Sequence, residues 1–130
     1  AALRVLAAGF GPVPEDIWRE LCVHMVRPHP EGGLTLHYDP AIGEPIRALT
    51  PQAAQQAEAA LWDLYDQIQA EVLLIRGMDS DLLTPENALD MTQRGPHAQL
   101  VQWPGVGHAP TLTAPEQIEA LLGFLLRSAP

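Results

Sequence analysis

Lysine is absent from this 130-residue chain: its 7 basic residues are all arginine, set against 16 acidic ones for a formal charge of −9. A chain this negative offers no attraction to a phosphate backbone or an anionic lipid surface, which argues against nucleic acid and membranes as partners. Cysteine occurs once, at Cys22, so there is no internal disulfide and no thiol pair at a metal-ligand spacing. No apolar run approaches the roughly 18 to 20 residues that a membrane span requires. The opening "AALRVLAAGF" has neither the charged leader nor the hydrophobic centre of a signal peptide. A cytoplasmic setting is the expectation. Serine is nearly missing, with only Ser80 and Ser128. The first residue is not methionine, which permits a piece of something longer.

What is present is an ordinary globular balance, 47% hydrophobic and 18% charged, with enough length for a core. Up to about Thr50 the chain is irregular, broken by "GFGPVP", "RPHPEGG" and "DPAIGEP". One helical stretch, "PEDIWRELCVHMV", carries an apolar stripe through Trp18, Leu21 and Met25. Thr50 and Pro51 have the form of an N-cap and first-turn proline. Ala54, Ala57, Leu61, Leu64 and Ile68 then recur at helical spacing.

From Glu71 onward the order is β-α-β-α. "VLLIRG" is a continuous apolar run closed by glycine, the pattern of a strand in a buried parallel sheet. "DLLTPENALDMTQRG" starts a helix at Thr84 and Pro85 and ends it near Gly95, and "AQLVQW" is a second strand. "TAPEQIEALLGFLLR" places Thr113 and Glu116 at capping-box spacing, with Ile118, Leu121, Leu122 and Leu125 on one face. Two parallel strands cannot cover their own edges. The chain therefore has the pattern of the closing end of a larger α/β domain, with residues 1–68 as a helical segment before a core segment at 69–130.

In parallel α/β sheets functional groups collect in the loops at the carboxyl ends of strands. "RGMDSDLL" follows the first strand and brings Asp79 and Asp81; "PGVGHAP" follows the second and brings His108. A carboxylate beside an imidazole fixes its tautomer and stabilises the imidazolium, which is two thirds of a catalytic triad. Taken one at a time, a loop histidine and an aspartate before a helix are ordinary surface and capping residues. Their joint placement, acid before histidine, favours catalysis.

The stretch "LWDLYDQIQAEVLLIRGMDSDLLTPENALDMTQRGPHAQLVQWPGVGHAPTL" resembles the C-terminal part of α/β-hydrolase-fold enzymes. The likeness is looser before Leu61, where such proteins carry an inserted cap. The resemblance implies that His108 is the triad histidine and that the acid lies in the "MDSD" loop. Asp81 matches the "SD" pattern of the more similar group; the "GxxD" position of many other relatives is Ser80 here, and Asp79 is the alternative acid. The fold places its nucleophile on a "GxSxG" elbow, and neither Ser80 nor Ser128 stands in such a setting.

No metal is expected. His24, His29, His37 and Asp39 lie at spacings matching neither a helical ligand pair nor a zinc finger. "GVGHAP" lacks the third glycine of a dinucleotide fingerprint, so no cofactor is expected. Trp18, Trp62, Tyr65 and Trp103 are assigned to packing, one of them being a candidate for an acyl pocket, and Phe10 and Phe124 carry no functional signal. The sequence thus predicts part of a serine hydrolase acting on a small ester-like substrate, supplying acid and histidine but no nucleophile. The competing class is a noncatalytic hydrolase-like binding module. With its strand edges and terminal helix uncovered, the isolated chain is expected to form a homo-oligomer.

Overall fold

The structure, a computed structural model, describes residues 10–127; Ser128 lies outside the described residues. The chain divides into two compact units, Pro14–Asp63 and a second formed by the residues from Leu64 onward together with those up to Val13.

The Pro14–Asp63 unit opens with α1 (Glu15–Met25), on which Trp18 is buried. β1 (Val26–Pro28) and β2 (Leu34–Leu36) then form an antiparallel ribbon with Arg27 opposite Thr35. Its turn uses Gly32 and Gly33 at φ +96° and +81°, conformations open to glycine, and the His29 amide donates to the Gly33 carbonyl at 3.1 Å. Asp39 caps a 3-10 turn, Pro40–Gly43, by accepting from the Ala41 amide at 2.9 Å. The short α2 (Glu44–Arg47) follows. α3 (Pro51–Asp66) begins as its sequence requires, with Thr50 Oγ1 accepting from the Ala53 amide at 3.2 Å.

The second unit holds the expected β-α-β-α order. β3 (Leu73–Gly77) pairs in parallel with β4 (Gln99–Trp103), Ile75 opposite Val101 and Arg76 opposite Gln102. The crossover is α4 (Pro85–Gln93), started by Thr84 Oγ1 accepting from the Asn87 amide at 3.2 Å. Ala88 on this helix and Ala98 before β4 are buried. The last helix is α5 (Pro115–Arg127). Its start departs from the expected capping box. Pro115 occupies the first helical position, so the carbonyl of Ala114 accepts from Gln117 and Ile118, and the Thr113 hydroxyl meets Thr111 Oγ1 at 2.9 Å instead. Arg127 ties the other end of α5 to β4 by donating to Gln99 Oε1 at 3.0 Å.

The last turn of α3 is bound to the end of α4. The Tyr65 hydroxyl donates to the Met91 carbonyl at 2.7 Å, and Arg94 Nε donates to Asp66 Oδ1 at 2.8 Å within an ion pair. Hydrogen bonding from Arg94 holds the Asp66 carboxyl below its ordinary value of 3.8. A carboxyl lowered on folding contributes stability above its unfolded pKa and loses it as pH falls through the folded value. On acid titration followed by circular dichroism, Arg94→Ala should therefore be less stable at neutral pH and lose less stability below about pH 4 than the parent sequence. Equal acid sensitivity in both proteins would assign no role to the pair.

Burial is shallow for so apolar a chain. Among the described residues no large side chain is fully buried, and Ile118, Leu122 and Leu125 of α5 are 41%, 47% and 52% exposed. The apolar face read from the sequence is there, and among the described residues little covers it.

Candidate active site

Because β3 and β4 are parallel, the loops that leave them emerge at the same edge of the sheet. They dock on one another through the backbone. The Met78 amide donates to the Trp103 carbonyl at 2.9 Å, extending the ladder by one step, and the Asp79 amide donates to the Val106 carbonyl at 3.0 Å. Gly77, at the end of β3, permits this approach: a Cβ there would lie 2.0 Å from the Gly107 carbonyl oxygen and 2.3 Å from that of Val106. The glycine before the acidic loop is thus required by its neighbour strand's loop.

Within the acidic loop, Ser80 Oγ accepts from the amides of Leu82 and Leu83 at 3.3 and 3.1 Å. Its hydroxyl is a local turn-former. Asp79 and Asp81, on either side of it, are both exposed.

The second loop turns at Pro104 and Gly105, the glycine at φ +70°, buries Val106 and then presents His108 to solvent. Leu112 follows with φ +55°, a conformation that costs a non-glycine residue about 1 kcal/mol and survives where the surroundings impose it. The Thr111–Thr113 hydroxyl contact closes over that residue. The structure therefore brings the two loops together, while among the described residues no hydrogen bond or ion pair joins the His108 ring to Asp79 or Asp81.

Two features near the loops had no signal in the sequence. A cavity of about 190 Å³ is bounded by Phe10, Trp103, Val106, Thr111 and Gln117, residues on both sides of His108 among them. Gln117 is buried there, and among the described residues its Oε1 has no hydrogen-bond partner. The second is Arg76, a charged side chain buried in β3 within the run read as wholly apolar. Of the histidines considered as metal ligands, His29 accepts at Nδ1 from the Glu31 amide at 3.2 Å, and among the described residues no three His, Cys, Asp or Glu side chains are grouped to hold a metal. No described helix is long and apolar enough to cross a membrane.

No family profile matches the chain. Among curated proteins it is 43% identical over 121 residues to a 3-hydroxybutyrate-oligomer hydrolase of Cupriavidus necator, covering 91% of this chain and 41% of that protein. Over 53 residues it is 49% identical to a pimeloyl-[acyl-carrier protein] methyl ester esterase of Nitrosomonas europaea, covering 40% of this chain and 21% of the esterase. Among solved structures it matches a protein from Rickettsia typhi assigned as a hydrolase, with TM-score 0.78 and 25% identity over 98% of this chain and 41% of that one. It also matches an α/β hydrolase from Novosphingobium aromaticivorans, with TM-score 0.71 and 31% identity over 98% of this chain and 44% of the other. The chain thus spans less than half the length of each of these four proteins. Its parallel strand pair, crossover helix and terminal helix, together with these likenesses, make the chain part of an α/β-hydrolase fold, similar in sequence to hydrolases.

Proposed function

We propose that the chain supplies the acid and the histidine of a serine hydrolase's triad, as the C-terminal part of an enzyme whose nucleophile lies outside this sequence. The observation that carries this reading is the backbone docking of the Asp79–Asp81 loop on the His108 loop at the carboxyl edge of a parallel pair. In the reaction, the His108 imidazole takes the proton of the nucleophile's hydroxyl as its oxygen bonds to the substrate's carbonyl carbon. The imidazolium returns that proton to the departing alcohol, leaving an acyl-enzyme that water, activated by the same ring, then hydrolyses. Asp81 orients the ring and balances its positive charge.

An ester is the favoured substrate. One relative is named for 3-hydroxybutyrate oligomers and another for a methyl ester; hydroxy acids joined head to tail are esters too. The segment from about Glu15 to Ile68 is assigned to the cap of the longer enzyme, and no cofactor is called for.

The 130-residue chain by itself should not turn over short-chain aryl esters, because acyl transfer needs a nucleophile and oxyanion donors besides acid and base. It should instead self-associate at micromolar concentration through the exposed stripe of α5 and the edges of the β3–β4 pair, the surfaces the longer enzyme would cover. Esterase assay and sedimentation of the same preparation check both outcomes. Robust turnover abolished by Ser80→Ala would overturn the missing-nucleophile reading, and a monomer without dye-binding apolar surface would overturn the uncovered-face reading.

A further inference from the structure

We infer that Arg76 is a positioning residue for the acidic loop, its buried guanidinium holding the turn that presents Asp79 and Asp81. The inference rests on the reading above that this loop carries the catalytic acid. Arg76 is 3% exposed at the next-to-last position of β3. Its Nε donates to the Leu83 carbonyl at 2.8 Å and its Nη2 to the Met78 carbonyl at 3.4 Å. These two acceptors stand at the two ends of the loop, so one planar group clasps it where it leaves β3 and where it enters α4. The third contact, Nη1 to Gln102 Oε1 at 3.0 Å, anchors the guanidinium to the paired position on β4, the strand that leads to His108.

Stability alone does not call for this residue. A buried charge satisfied by neutral acceptors bears a desolvation cost that an apolar side chain in a strand interior avoids, and among the described residues no carboxylate pairs with Arg76. What arginine provides is geometry: donors fixed in one plane that reach three acceptors at once, which the single ammonium of lysine cannot reproduce. Ser80 Oγ ties the same loop internally through Leu82 and Leu83. Held this way, the loop leaves both aspartates facing solvent and its backbone bonded to the His108 loop through Asp79 and Val106.

The test uses the full-length hydrolase with Arg76→Lys, His108→Ala, the double variant and Gln102→Leu. Arg76→Lys should melt cooperatively and lose about 10- to 100-fold in kcat, the scale of a misplacement near 1 Å, with KM within about threefold of the parent. Combined with His108→Ala it should cost less than about threefold more than His108→Ala alone, because a group that positions the histidine's partner has nothing to position once the imidazole is gone. Gln102→Leu, which frees Nη1 from β4 but leaves both loop carbonyls bound, should lower kcat less than Arg76→Lys does. Unchanged kcat in Arg76→Lys, multiplicative losses in the double variant, or loss of folding with lysine would each overturn the assignment and make the arginine a part of the framework. Near-full activity in His108→Ala would instead sink the triad reading, and this inference with it.

Discussion

Alanine at His108 is expected to lower kcat of the full-length enzyme by about three orders of magnitude or more, since triad members act as a unit and loss of the base leaves only binding and oxyanion stabilisation. KM should change little, because the imidazole serves the transition state more than the bound substrate. Asp81→Asn should be severe as well. An amide in place of the carboxylate neither balances the imidazolium nor holds the correct tautomer. Asp79→Asn is the internal control, also exposed and two residues away, and should be mild. Steady-state hydrolysis of a short-chain ester by the three variants separates the outcomes. If the two aspartates exchange effects, the acid is Asp79; a loss of less than about tenfold in His108→Ala removes the residue from catalysis and favours a binding module.

Gly77→Ala is expected to cost at least about 3 kcal/mol of stability, at the upper end of what overpacking does, and to separate the two loops. The added methyl would overlap the Gly107 and Val106 carbonyl oxygens at 2.0 and 2.3 Å, and those are backbone atoms that cannot rotate aside. Relief requires the His108 loop to move off β3, which breaks the bond from Asp79 to Val106. Gly123→Ala in α5 is the matched control: a Cβ there meets nothing within 4 Å, and alanine in a helix should be neutral or stabilise by up to about 1 kcal/mol. Denaturant unfolding of the two variants of the chain decides the matter. Equal midpoints would mean that the close approach at Gly77 is not maintained in solution.

Much of this architecture was legible in the residues. The helical spacing from Ala54 to Leu64, the caps at Thr50 and Thr84, and the apolar runs of β3 and β4 are local signals, carried by neighbours within one or two turns, and each appears where its residues place it; Ile68, read as the last position of that spacing, lies two residues past the end of α3. The pairing of β1 with β2 was not legible, although the glycine turn and a short extended segment beside it were. Strands of three residues, one of them Pro28, show no period. The start of α5 was misplaced by a residue because two local rules competed, a Thr–Glu capping box and a first-turn proline, and the proline prevailed.

For the site, the sequence by itself determined the inventory: an acidic loop and a histidine loop after consecutive parallel strands, with no serine in an elbow. It could do so because chain order and hydrophobic period together specify which loops share a sheet edge. Only the tertiary structure decided how those loops meet. That Gly77 must be glycine, that Arg76 is a clasp and not a surface charge, that Ser80 folds inward between two exposed aspartates, and that Asp66 meets Arg94 across 28 positions are facts of packing. The approach at Gly77 and the Arg76–Gln102 contact depend on atoms brought near only once β3 and β4 have paired, and sequence patterns register the period of one element, not the surface of its neighbour.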